Sequence, residues 1–242
     1  MRRGAAGCLG TLCLQIASLR EVCMRNGSLI AGVVAGLVLV GCHGNFPGTG
    51  PGRYYEPSKS LAPAFAAPGS EWSYIRKDSG SYGDGTSQVT WKSLPMQNYQ
   101  GRPHYAYDGP EATLLLEPRS GSYAAQVKSG KPDVTWDPPL NFHHWPVWVG
   151  ESWSTPHKVT NHATNQTKEM RAWYTVEDTQ TVNVPAGTFK TYRILYSTET
   201  VWGHIWWSPE LGITVKSRLE RISSDPAGVG VRESDLLRTS LK

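Results

Sequence analysis

His143 and His144 stand side by side in the stretch Asp137-Pro-Pro-Leu-Asn-Phe-His-His-Trp-Pro146, with Glu151 a few residues on. A histidine oriented by a carboxylate can act as the base of a hydrolase, so this stretch is where reaction chemistry would begin. Adjacent side chains on an extended backbone point to opposite faces, and one regular strand cannot deliver both rings to one site. The sequence contains neither H-E-x-x-H nor G-x-S-x-G, nor a glycine-rich phosphate loop leading from a strand into a helix. Gly83-Asp-Gly85 lacks the alternating carboxylates of a calcium loop, and His157 and His162 could bind a metal only if the fold gathered them. No metal and no cofactor is therefore expected. The same proline-rich stretch carries Phe142, Trp145 and Trp148, and an apolar loop needs a reason to be stable in water. Phe142, His143, His144, Trp145 and Trp148 are accordingly the candidate contacts to a ligand or partner, unless the loop folds back as a plug over the open end of a sheet.

The other reactive side chain is Cys42. It follows an uncharged run from Leu29 to Gly41, too short for the roughly 20 residues of a membrane-spanning helix but suited to the ~7–15-residue apolar core of an export signal. Met24-Arg25-Asn26 precedes that run with a start residue and a positive charge, so translation from Met24 rather than Met1 is one reading. Leu39-Val40-Gly41-Cys42 resembles the lipobox of bacterial lipoproteins. The resemblance implies cleavage before Cys42, diacylglycerol on its thiol and an acyl group on its freed amine, with membrane lipid as the partner of this residue. Several acyl chains together give stable anchoring where one would be marginal. His43, not aspartate, follows the cysteine, which under the enteric sorting rule implies the periplasmic face of the outer membrane.

Removal of the leader changes what remains. Cys8, Cys13 and Cys23 leave with it and Cys42 is acylated, so the mature domain has no thiol for a disulfide, a nucleophile or a zinc site. The net charge of +4 falls to about +1, because residues 1–41 hold Arg2, Arg3, Arg20 and Arg25 against Glu21. A nearly neutral domain without a basic run has no electrostatic footprint for nucleic acid.

The organisation follows: a signal peptide over residues 1–41, a lipid-anchored Gly/Pro-rich linker over 42–70, and a β-rich domain over 71–242. Within the domain, short β-branched and aromatic runs are separated by Gly, Pro, Asn and Asp clusters. Strands are expected at Trp72–Arg76, Gln88–Lys92, Pro103–Tyr107, Ala112–Glu117 and Tyr123–Lys128, with a short one at Val134–Asp137. They resume at Glu151–Thr155 and through Lys168–Asp178, Thr181–Val184, Phe189–Thr198, Thr200–Trp207 and Ile213–Arg221. Val229–Leu237 reads as a closing strand or a frayed tail. The expected fold is mainly β: a single antiparallel, strongly curved sheet, half-barrel or barrel, preceded by a signal helix and a flexible linker.

Two stretches stand out, Val184-Pro-Ala-Gly-Thr-Phe-Lys-Thr-Tyr-Arg-Ile194 and Trp206-Trp-Ser-Pro-Glu-Leu-Gly-Ile-Thr-Val-Lys216. They resemble the VPAGTFKTY and WxSPELGIxVK motifs of secreted and lipid-anchored bacterial β-domain families, over roughly residues 147–222. Such families look like relatives of the curved-sheet, lipid-handling fold of lipoprotein carriers. The resemblance implies that fold and no catalytic residues. Pro185 with Gly187, and Pro209 with Gly212, are read as structural turns that set strand register. Ten tryptophans lie in the domain, and core packing is the expectation for Trp153, Trp173 and Trp206. The function that emerges is a membrane-anchored envelope lipoprotein with a non-catalytic binding or assembly role, its ligand apolar or a glycan, or its partner an envelope protein. The alternative is an envelope-polymer hydrolase using His143 or His144.

Overall fold

The computed structural model describes residues 63–241, so the leader, the lipobox with Cys42 and most of the linker lie outside the described residues. Period-two alternation shapes the domain into twelve strands: β1 (Glu71–Gly80), β2 (Gly85–Tyr99), β3 (Arg102–Asp108), β4 (Thr113–Leu116), β5 (Tyr123–Lys128) and β6 (Lys131–Leu140), then β7 (Ser152–Asn161), β8 (Gln166–Val184), β9 (Gly187–Ser197), β10 (Val201–Ser208), β11 (Ile213–Arg221) and β12 (Gly230–Thr239). Each pairs antiparallel with the next, and β1 pairs with β12 from Trp72↔Thr239 to Gly80↔Gly230. The sheet is therefore a closed up-and-down barrel, in which no strand stands at a free edge. The stretch read as a closing strand or frayed tail is the strand that closes it, and among the described residues there is no helix.

Register sorts the side chains. Trp72, Tyr74, Arg76 and Asp78 of β1 share the inner face with Leu236, Ser234 and Arg232 of β12, and with Val215, Ser217 and Leu219 of β11. The outer face of the same strands pairs Lys216 with Asp235 at 3.3 Å and Arg218 with Glu233 at 3.5 Å. Such a wall faces water; a barrel embedded in lipid carries an apolar band outside. A small secondary core lies elsewhere, where Ala106, Leu115 and Ala125 of β3 to β5 are covered by Leu94, Tyr99 and Val127.

Two local departures shape the site. The β6–β7 ladder holds only from Val134↔Asn161 to Asp137↔Lys158, and beyond it the strands splay. β6 nevertheless runs on through Pro138 and Pro139 to Leu140, past the break expected at Asp137. The prolines' missing N–H groups cost nothing there, because the β7 ladder has already ended. Residues 63–70, assigned on composition to the linker, pack onto the barrel. Phe65 stacks on Tyr105 at 3.8 Å, the Ala66 N–H donates to the Tyr107 hydroxyl at 3.0 Å, and the Ser93 hydroxyl donates to the Ala66 carbonyl at 2.8 Å. We call this segment the strap.

Among the expected core tryptophans, Trp153 stacks on Tyr174 at 5.1 Å. Trp173 is corrected: it is 41% exposed, because period two places it opposite Tyr174, which is 2% exposed and points inward. Trp206 also faces out. It is partly buried, its indole N–H donates to Gln180 Oε1 at 2.7 Å, and Lys216 lies over its ring.

Candidate functional site: the barrel lumen

Twelve strands enclose more space than their inner side chains fill. A cavity of about 470 Å³ occupies the lumen, with a smaller one of about 290 Å³ beside it. Arg76, Trp91, Leu114, Tyr123, Gln126 and Phe142 line both. These volumes fall at about the scale of small-molecule sites, ~300–1,000 Å³. At one end the larger cavity is bounded by the strap residues Pro63, Ala64 and Phe65 and by the loop residues His143 and Trp145. Toward the other end the smaller cavity reaches Pro110 and Glu111 of the β3–β4 turn, where Glu111 is 72% exposed.

The 141–151 loop closes its end of the barrel by filling the splay between β6 and β7 with side-chain hydrogen bonds in place of the lost ladder. His157 Nδ1 donates to the Pro138 carbonyl at 2.7 Å, the Trp153 indole to Asn141 O at 3.1 Å, and the Trp145 indole to Ser120 O at 2.9 Å. Val147 is 2% exposed, and Phe142 packs among Tyr123, Tyr174 and Tyr196 at 4.9–5.8 Å.

The five candidate contacts part company here. Phe142, His143 and Trp145 face the lumen, while His144 turns out and Trp148 is 37% exposed on the outside. The two histidine rings thus diverge within the irregular loop between β6 and β7. His143 lies 4.7 Å from Trp207 and 5.7 Å from Trp145. Burial among those rings pushes its imidazole down to about 4. His144 Nδ1 meets Glu151 Oε1 at 2.5 Å, the buried carboxylate orienting the exposed ring. Among the described residues no hydroxyl is bonded to His144, so the pair forms two parts of a triad without a nucleophile. His157 and His162 are five positions apart, about 16 Å along an extended chain, and His162 bonds Thr135 Oγ1 on the exterior.

The turn residues also have places. Pro185 and Ala186 form the two-residue link between Val184 and Gly187, whose φ is 137°. Gly212, at φ 68°, ends the β10–β11 turn begun at Pro209, where its N–H donates to Ser208 O at 2.9 Å. A Cβ at Gly212 would collide with Ala64, so this turn receives the strap and cannot take a larger residue.

Sequence reasoning missed the charged side chains inside the barrel. Asp78 and Arg232 face each other across β1 and β12 and form a two-point ion pair at 2.8 and 3.0 Å. The Tyr82 ring lies against Arg221 at 3.9 Å and Arg232 at 4.5 Å. Arg76 lines both cavities. Burial lowers its pKa, and Arg232 lowers it further against the opposing pull of Asp78 and Glu111. A signal for these residues was present: Arg76 and Asp78 continue the phase of Trp72 and Tyr74. Tyr123 is pushed up to about 12 by burial and by Tyr107, so its phenol stays protonated in the lumen wall.

No protein-family model matches the chain, and no curated protein matches it. Solved structures do. A candidate lipoprotein from Parabacteroides distasonis ATCC 8503 is 13% identical, with a TM-score of 0.40 over 72% of this chain and 96% of that one. A candidate exported protein with a YmcC-like fold from Bacteroides fragilis NCTC 9343 gives the same values, 0.40, 13%, 72% and 96%. The hypothetical lipoprotein YmcC of Escherichia coli K12 is 12% identical, with a TM-score of 0.38 over 71% of this chain and 85% of that one.

Proposed function

We propose that this protein is an exported, lipid-anchored component of the bacterial cell envelope whose barrel binds an apolar ligand in its lumen without transforming it. The observation that supports this reading is the 470 Å³ cavity, walled by Trp72, Trp91, Leu116, Phe142, Trp207 and Ile213 and closed at one end by the strap and the loop. An alkyl chain of ten carbons buried there gains on the order of 8 kcal/mol at ~0.8 kcal/mol per CH₂. Part of that gain is lost to immobilisation of the ligand, and a preformed cavity keeps the protein's share of the loss small.

In this reading Cys42 carries the lipid and the barrel works in the periplasm beside the outer membrane. The charged outer wall of β11 and β12 suits a domain held in water near a membrane. A hydrolase built on His144 and Glu151 is favoured less, because the ring stands outside the cavity, while His143 lies against Trp207 in the aromatic lumen.

Native mass spectrometry of protein extracted gently from bacterial membranes tests the proposal. The expected spectrum has the mass of a chain starting at Cys42 with acyl groups, plus a releasable small molecule at one per chain. A bare lipidated polypeptide under conditions that preserve the fold would count against ligand binding, and an unacylated chain would count against the anchor.

A further inference from the structure

The lumen is graded along its axis. Near the strap, the inner rungs of β1, β12 and β11 are Trp72, Tyr74, Leu236, Val215 and Ile213. One step further, register aligns Arg76 with Ser234 and Ser234 with Ser217 in a single polar rung, and the next rung holds Asp78 and Arg232, with Leu219 of β11 opposite Arg232. The change from apolar wall to guanidinium takes place inside the cavity, since Arg76, Ser234 and Ser217 line the same 470 Å³ space as Trp72, Tyr74 and Ile213.

Arg76 is poorly compensated for a buried cation. Its side chain is 15% exposed and its Nε is buried without a hydrogen-bond partner. Its ion pair is with Glu111, at a long 3.8 Å from Nη1, and Glu111 is 72% exposed at the cavity's outer end. The other carboxylate whose charge acts on Arg76, Asp78, already has both oxygens engaged by Arg232. A buried guanidinium with a free donor calls for a planar or tetrahedral oxyanion, which it can grip through two N–H groups. Gln126 lines both cavities with it and offers an amide donor. A neutral hydrocarbon would leave Arg76 buried and unanswered.

We infer that the lumen takes a single-chain amphiphile with an anionic carboxylate or phosphate head, the head pairing with Arg76 on the polar rung and the chain running along the apolar rungs toward the strap. The inference rests on the proposal that the lumen binds an apolar ligand, and adds the polarity and direction of that ligand.

Brominated amphiphiles test it, because bromine quenches nearby indoles and Trp72, Trp91, Trp145 and Trp207 line the cavity. The probes are 11-bromoundecanoate and 11-bromoundecan-1-ol, equal in chain and different in charge. They are titrated at pH 7.5 into the full chain carrying Cys42→Ser, so that the protein brings no acyl groups of its own. The carboxylate is expected to bind at least ~10-fold tighter than the alcohol. In Arg76→Gln the preference should disappear, the two probes binding alike, with near-ultraviolet circular dichroism reporting the packed barrel; Arg76→Lys should keep part of the preference. Equal affinities in the chain with Arg76 intact would overturn the inference while leaving an apolar site standing, as would a preference that survives in Arg76→Gln. Saturable quenching by neither probe overturns the reading on which the inference rests. Should Arg76→Gln fail to fold, the comparison of the two probes with Arg76 in place, together with Arg76→Lys, still decides.

Discussion

At the scale of single residues, the lumen makes His143 a reporter of pH. Folded, its imidazole gains a proton only near pH 4; unfolded, it does so near its ordinary value of about 6.5. Between those values the unfolded chain binds the extra proton. The stability held through neutral His143 is thus fully present above pH 6.5 and drains away as pH falls toward 4. The ring borders the cavity, so the loss is on the order of 2 kcal/mol, below the ~1.4 kcal/mol per pKa unit that full burial would give. Urea midpoints at pH 7 and pH 4.5, compared between the parent and His143→Phe, should show the parent losing about that much more than the variant. Equal losses would contradict the assignment. Gly203 gives a purely steric prediction: a Cβ there would strike the Arg218 carbonyl and lie 2.9 Å from the Leu219 Cα across the β10–β11 ladder. Backbone cannot step aside as a side chain can, so Gly203→Ala should cost about 1–3 kcal/mol in thermal or urea unfolding. That a regular strand could not deliver both rings to one site was legible, because alternation needs only local geometry; the two rings lie instead in the irregular loop after β6. Which of them faces the aromatic lumen was not legible, because that depends on where the loop crosses the barrel end.

At the scale of elements, the strap and the β6–β7 splay do the most to define the site. Composition made residues 63–70 look like linker, since Pro63-Ala-Phe-Ala-Ala-Pro-Gly-Ser70 has one aromatic and no periodicity. Its packing is written instead in the residues that receive it, Tyr105, Tyr107, Ser93 and Gly212, far away in sequence. Phe65→Ala should remove the stacking on Tyr105 and open that end of the lumen, at a cost of about 1–3 kcal/mol for a partly buried ring. Faster hydrogen exchange at Ala66 and in β3, with β8 and β9 unchanged, would check it; uniform exchange across the barrel would contradict a local role. The strands themselves were legible wherever alternation was regular, as in Ile213, Val215, Ser217, Leu219 and Arg221. Pro138 and Pro139 hid the end of β6, because a proline reads as a break unless the missing ladder partner is known. The inner charges were hidden for a related reason: an arginine in phase with an apolar face looks like an exception until the barrel shows a cavity for it to enter.

At the scale of the whole molecule, barrel closure joins these observations. A single antiparallel, strongly curved sheet, half-barrel or barrel was expected, and the β1–β12 ladder makes it the closed barrel, a vessel with an aromatic inner wall and charged pairs on its outer one. The central claim is that the vessel is occupied by a ligand of the envelope. Its most direct test is titration of the uncharged 11-bromoundecan-1-ol into the folded chain, compared with Ser217→Trp, in which an indole is grown into the cavity from β11. We expect saturable quenching at one molecule per chain in the parent and its loss in Ser217→Trp, with the near-ultraviolet circular dichroism of both proteins showing packed aromatic residues. Quenching that rises linearly without saturation, or that persists unchanged when the lumen is filled, would contradict a ligand-binding barrel.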